Sequence, residues 1–173
     1  MIKSTLIKSF VLLITMVSFF ACQENKMKEI NFPPTDLSSE NLIPKPIKII
    51  PTHNAFGLDH KTAIYTSQSD KSFEEVGSFL ADKIKSKTNL RLAVNAADAG
   101  KVNRMIFINQ SDSEELEGPE AYQLYISKDS IIVNAKTSEG AFRGIQTLRQ
   151  LIPETSNDTL AEMPLWPIPT GKI

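Results

Sequence analysis

Glu120 to Pro153, EAYQLYISKDSIIVNAKTSEGAFRGIQTLRQLIP, decides the fold, because three separate patterns agree within it. Tyr122, Leu124 and Ile126 alternate with Gln123 and Tyr125, the period of a half-buried strand. Ile131, Val133 and Ala135 alternate again after a polar turn at Lys128-Asp129. With those two residues as the loop, 126 faces 131, 124 faces 133 and 122 faces 135, so both apolar sets share one side of a hairpin. A helix follows, capped by Thr137 or Ser138, with Ala141, Ile145, Leu148 and Ile152 at helical spacing. Gly140 and Gly144 stand four apart in it, where each costs about 1 kcal/mol relative to Ala. That cost is reasonable if the helix backbone must lie close against the sheet. Gly144 is expected to be the more demanding position, and Gly140, nearer the helix start, the more tolerant.

Working outward, Ser72-Phe73-Glu74-Glu75 has the capping-box pattern and opens an earlier helix. Phe73, Val76, Phe79, Leu80 and Ile84 make its apolar stripe, with Asp82, Lys83, Lys85 and Lys87 toward solvent. Short strands are expected at Ile47–Ile50 (stopped by Pro51), Thr62–Thr66, Leu90–Val94 and Met105–Ile108, and an acidic loop at Ser111–Pro119. The fold class is therefore α+β: a mixed sheet of about six strands with two α-helices on one face.

The ends differ from this middle. Lys3 and Lys8 precede an apolar run, Phe10 to Phe20, too short to span a bilayer and typical of a signal-peptide core. It closes on Ala21-Cys22, the small residue and cysteine of a bacterial lipoprotein signal, and Cys22 is the only cysteine in the chain. Cys22 is thus the expected lipid attachment site, with a membrane anchor in the bacterial cell envelope. Removing residues 1–21 takes away two lysines and no acid, moving the formal charge from −1 to −3. A chain with that mild acidity has no surface for nucleic acid. The expected organisation is a signal peptide at 1–21, a polar, Pro-containing tether at 22–45, the α+β domain at 46–153 and a Pro-rich linker at 154–173.

Met163-Pro-Leu-Trp-Pro-Ile-Pro169 reads as neither helix interior nor central strand. For Leu165, Trp166 and Ile168, with Leu151 at the end of the second helix, two readings stay open. They form an exposed apolar patch awaiting a partner domain, or the tail folds back onto the core.

Tyr-x-Leu-x-Ile, a turn, Ile-Ile-Val-x-Ala and then Gly140-Ala-Phe-Arg-Gly144-Ile-Gln146-Thr147-Leu148-Arg-Gln-Leu151 together resemble the N-terminal, non-catalytic domain of glycoside hydrolase family 20. Leu42-Ile43-Pro44-Lys45-Pro46 extends the resemblance upstream, to cover roughly residues 42 to 170. Gly140, Gly144, Gln146, Thr147 and Leu148 carry its most specific part and are expected to be structural residues. The resemblance implies a zincin-like accessory domain without a metal motif, preceding a catalytic barrel in β-N-acetylhexosaminidases. Such enzymes release terminal N-acetylglucosamine or N-acetylgalactosamine by substrate-assisted retaining hydrolysis, with an Asp-Glu dipeptide orienting the acetamido group and protonating the leaving oxygen.

None of that chemistry is present in these residues. The sequence contains no Asp-Glu dipeptide, and Trp166 is the only tryptophan where the family lines its sugar pocket with several. A barrel would need roughly 250 further residues. Glu74-Glu75 and Glu114-Glu115 read as solvated or capping charges. His53 and His60, the only histidines, flank an expected loop without a His-Glu-x-x-His motif and read as surface residues. Gly140-x-x-x-Gly144 lacks the spacing of a phosphate-binding loop, and Arg143 between them defaults to solvent, with reach to a partner domain as the alternative. No cofactor or metal is expected. The expected partner is a catalytic barrel in the same polypeptide, glycan being met only through it, and the chain alone is expected to be inactive. A free-standing lipoprotein module for glycan or protein, or the accessory domain of another glycosidase family, are the alternatives.

Overall fold

A computed structural model describes residues 32–68, 70–96, 104–156 and 164–173. Strands β1 (Ile50–Leu58) and β2 (Ala63–Thr66) lead into α1 (Lys71–Thr88). Then come β3 (Val94–Ala96), β4 (Met105–Gln110), β5 (Tyr122–Ile126), β6 (Ser130–Ala135), α2 (Ser138–Leu151) and β7 (Trp166–Lys172). The strands form one seven-stranded sheet in the order β1-β7-β5-β6-β4-β2-β3. The block β6-β4-β2-β3 is parallel. Antiparallel pairs β1/β7, β7/β5 and β5/β6 complete it. The class is α+β, with a mixed sheet of seven strands in place of about six.

The hairpin follows its residue pattern. Tyr122 pairs with Ala135, Leu124 with Val133 and Ile126 with Ile131. Ser127 and Ser130 close the turn, the Ser127 amide donating to the Ser130 carbonyl at 2.8 Å, which leaves Lys128 and Asp129 as the loop. Leu124, Ile126, Ile131, Val133 and Ala135 are buried on the side that receives both helices. Burying each of the four larger side chains stabilises by about 1.5–3 kcal/mol. From α1 the residues Phe73, Val76, Leu80 and Ile84 complete this layer, and from α2 Ala141, Ile145 and Leu148. The helices meet each other through Phe79 and Phe142, ring centroids 5.2 Å apart.

Several local expectations are corrected. The first helix is capped by Asp70, not by a Ser72–Glu75 box: the Asp70 carboxylate accepts the Ser72 amide at 2.8 Å. That hydrogen bond to the charged form holds Asp70 below its ordinary pKa. Asn89 ends the helix in the left-handed region, φ 63°, and its amide donates to the Lys85 carbonyl. The expected strand at Leu90–Val94 pairs only from its far end, β3 at Val94–Ala96; Leu90, Leu92 and Val94 still alternate toward the core with exposed Arg91 and Ala93 between them. Of the expected tether, Leu37 in a short 3-10 turn (Leu37–Ser39) and Leu42 are buried in the core.

Proline positions account for the largest differences. Pro51 does not stop the first strand; β1 begins at Ile50 and runs through it to Leu58. β1 is the sheet edge, where a missing amide hydrogen is harmless. A register shift between Pro51 and Ala55, with His53 at φ 55°, bulges the strand, so His53 lies within β1 and not in a loop.

The Pro-rich tail, expected as a linker that could not enter the sheet, contains β7, inserted between β1 and β5. The reason lies in backbone alternation. Ile173 exchanges both backbone hydrogen bonds with Leu124, at 2.9 Å each, so odd-numbered residues of β7 point their amides toward β5. β5 pairs only as far as Gly171. Pro167 and Pro169 therefore direct their missing donors to the side where β5 does not reach. Of the two readings for the tail, folding back onto the core is the one found. Leu151, Leu165, Trp166 and Ile168 are all buried, Trp166 at 7% exposure.

Trp166 in this setting should emit at short wavelength and resist a soluble quencher. Red-shifted, freely quenched emission from the folded chain would place the tail in solvent and remove β7 from the sheet.

Candidate functional site

The side chains that sequence reading singled out converge on the contact between α2 and the β5–β6 hairpin. Thr137 caps α2, its hydroxyl accepting the Gly140 amide at 3.3 Å and donating to the Pro119 carbonyl at 2.6 Å. One residue thus fastens the acidic loop and the helix start together. Glu139, in the first turn, is held below its ordinary pKa chiefly by a hydrogen bond from its own backbone amide. Its charge also complements the helix dipole.

Both glycines are pressed against their neighbours. A Cβ on Gly144 would stand 2.5 Å from Val133 Cγ1 and 3.2 Å from Tyr122 Cδ2. One on Gly140 would stand 2.5 Å from the Ala121 carbonyl oxygen and 3.0 Å from that of Pro119. A valine methyl can be displaced by a small shift of one side chain, whereas the carbonyls belong to main chain, that of Pro119 held by the Thr137 hydroxyl. Gly140 is therefore the stricter position, the reverse of the sequence expectation.

Thr147 is buried and shares a 2.7 Å hydrogen bond with the Tyr122 hydroxyl, tying α2 to β5. Leu148 is fully buried. Gln146 is half-buried and accepts from Arg149 through its side chain. Gln150, which sequence reading did not single out, makes a reciprocal pair with the backbone of Ile43: its Nε2 donates to the Ile43 carbonyl and its Oε1 accepts the Ile43 amide, each at 3.0 Å. The Leu42–Pro46 segment is thereby held against the far end of α2.

Chemistry-bearing groups do not converge in this way. Glu74 and Glu75 are exposed on α1, and Glu115 accepts Gln123 Nε2 at 2.7 Å. His53 Nδ1 lies 3.1 Å from the Thr35 carbonyl, and His60 is exposed in the turn after β1. Buried Asp59 is taken up by the Arg104 guanidinium and the Lys61 amide. Among the described residues no group of three His, Cys, Asp or Glu side chains could hold a metal ion. Cys22 lies outside the described residues.

Open clefts lie elsewhere on the described residues, and two of them bear on the site. One, of about 470 Å³, runs between the starts of the helices; there Phe142 leans on Phe79, and Arg143 pairs with Glu120 at 2.9 Å. That hydrogen bond raises the Arg143 pKa, and the pair is solvent-exposed, so its contribution to stability is small. The other, of about 520 Å³, opens at the end of β7 between Tyr122, Gln123 and the 44–50 segment.

Comparison with known proteins gives a consistent result. The sequence model described as glycosyl hydrolase family 20, domain 2, matches residues 39–166. A beta-hexosaminidase of Porphyromonas gingivalis is 31% identical over 151 residues, 86% of this chain and 19% of that protein. The fold is similar to the N-acetyl-beta-hexosaminidase of Streptomyces plicatus, with a TM-score of 0.64 and 25% identity over 84% of this chain and 28% of that one. It is equally similar to the GH20 beta-N-acetylhexosaminidase of Streptomyces coelicolor A3(2), at TM-score 0.64 and 28% identity over 82% of this chain and 27% of that one. The chain spans about a fifth to somewhat over a quarter of these relatives.

Gly140→Ala should lower the unfolding free energy by about 1–3 kcal/mol from overpacking, although alanine alone favours a helix by about 1 kcal/mol. Gly144→Ala should cost less. Urea titration of both variants checks the order; a Gly140→Ala protein as stable as the parent would show that the helix start does not touch the 119–121 backbone.

Proposed function

The chain belongs to glycoside hydrolase family 20, as that family's domain 2, and on that premise we propose that it is the supporting domain of an exo-acting β-N-acetylhexosaminidase. In this reading the hydrolysis of terminal N-acetylglucosamine or N-acetylgalactosamine is performed by a barrel in the same polypeptide. The observation that carries it is the match over residues 39–166, set beside relatives of which this chain spans only 19–28%.

The arrangement of side chains fits a supporting role. Substrate-assisted hydrolysis needs one carboxylate to orient the acetamido group and a second to protonate the leaving oxygen, held across one sugar. Four of the described carboxylates are engaged at helix starts or in ion pairs: Asp70 and Glu139 at helix starts, Asp59 under Arg104 and Glu120 with Arg143. The rigid layer of two helices on a sheet supplies a platform, and the chemistry belongs to the barrel.

Cys22 is proposed as the lipid attachment site of a signal spanning residues 1–21, which would place the protein at a bacterial membrane surface in the cell envelope. The support is the Lys3/Lys8, Phe10–Phe20, Ala21-Cys22 order in the sequence. No helix among the described residues is long and apolar enough to cross a membrane.

Purified residues 23–173 should show no turnover of a chromogenic N-acetylglucosaminide above a denatured control. Activity that survives repurification would overturn the supporting role. Labelling with a fatty-acid probe should attach to the full chain and be lost in Cys22→Ala; unchanged labelling in that variant would remove the lipid anchor.

A further inference from the structure

The cleft at the end of β7 has the form of a missing stretch of strand. Ile173 is joined to Leu124 by both of its backbone hydrogen bonds. In the antiparallel register that pairs Lys172 with Tyr125, the residue after Ile173 falls opposite Gln123 and the next one opposite Tyr122. Leu124 turns its amide and carbonyl toward β7, so by alternation Tyr122 turns its own toward the same side. That side of Tyr122 and Gln123 is where the cleft lies. Its opposite wall is the segment leading into β1, with Pro46, Ile47 and Ile50, and Ile50 already pairs with Lys172. The cleft is therefore bounded as a strand would be: a β5 edge on one flank, the approach to β1 on the other, and the end of β7 at its base. Ile47 and Ile50 are exposed along its rim.

We propose that this cleft is a strand slot, filled by the two residues that follow Ile173 in a longer polypeptide, which extend β7 to the end of β5. The inference rests on the reading that further chain follows this domain, which the greater length of the relatives supports. An unpaired strand edge is a template for one more backbone segment, and extension of an existing strand fills it without a second ordering step. The side chains are assigned by the same register. The first added residue points to the helix-free face, where Lys172 Nζ lies 5.0 Å from the centre of the Tyr125 ring. The second points to the helix face beside Tyr122, against which α2 is packed through Gly144. Backbone hydrogen bonds thus fix where the following domain departs, independent of its side chains. Only the second added residue exchanges hydrogen bonds with Tyr122; the amide of the first points toward the 48–50 segment.

Hydrogen exchange at the Tyr122 amide tests this directly, using the 173-residue chain and the same chain lengthened by Thr-Val-Thr-Val. The lengthened chain should protect Tyr122 by tenfold or more. Proline as the second added residue keeps the carbonyl that accepts the Tyr122 amide but loses the amide that donates to the Tyr122 carbonyl, so it should weaken that protection severalfold, while proline as the first should leave it. Equal exchange with and without the extension, or equal effects of the two prolines, would overturn the slot. So would protection by free N-acetylglucosamine in the unextended chain with none from the extension, which would make the cleft a ligand site. The readout involves no catalytic domain, so failure of the slot leaves the supporting-domain reading intact, and failure of the hydrolase reading leaves the slot intact.

Discussion

The whole arrangement depends on how closely α2 lies on the β5–β6 hairpin. At Gly140 and Gly144 the helix backbone reaches positions where a single methyl would stand 2.5 Å from a neighbouring atom. That approach lets Ala141, Ile145 and Leu148 bury themselves against the sheet and brings Thr147 within hydrogen-bond reach of Tyr122. It also sets the height of α1, which shares the layer and touches α2 through the Phe79–Phe142 pair. Interiors packed at native density transmit such a constraint, because a methyl added at Gly140 meets backbone and one added at Gly144 must push a buried side chain aside. Gln150, at the other end of α2, then holds the Ile43 backbone and with it the segment that leads into β1.

Legibility in the sequence followed from how local each signal was. The hairpin register was readable because a period of two on both strands, joined by a polar turn, admits one pairing that keeps Tyr122, Leu124, Ile126, Ile131, Val133 and Ala135 together. Close packing of α2 was readable because two glycines inside a helix need a reason. β7 was not readable. Pro167 and Pro169 are strand breakers in any local rule, and only the sheet order shows that their missing donors face the side where β5 does not reach. Pro51 misled for the same cause, since edge position is a property of the assembled sheet. Asp70 and Ser72 are both good capping residues two positions apart, so sequence alone does not separate them, and the backbone decides for Asp70.

The functional surfaces were legible in part. The Gly140–Leu148 run was identified and lies at the contact between α2 and the sheet. The ranking of its glycines was not accessible, because carbonyl oxygens from Pro119 and Ala121 have no residue-type signature. Gln150 was passed over for a similar reason: a side chain that meets the backbone of a residue 107 positions away leaves no spacing to read. The cleft beside Ile173 arises from the relative lengths of three backbone segments, and no motif encodes it. A supporting domain is thus written mainly in packing and strand ends.

The most direct measurement is the nucleotide sequence beyond the codon for Ile173. An open frame of roughly 250 further codons, the size of a barrel, containing an Asp-Glu pair, is the expected result. A stop codon at that point in an intact, expressed gene would contradict the supporting role, because the domain would then have no catalytic partner in its own chain.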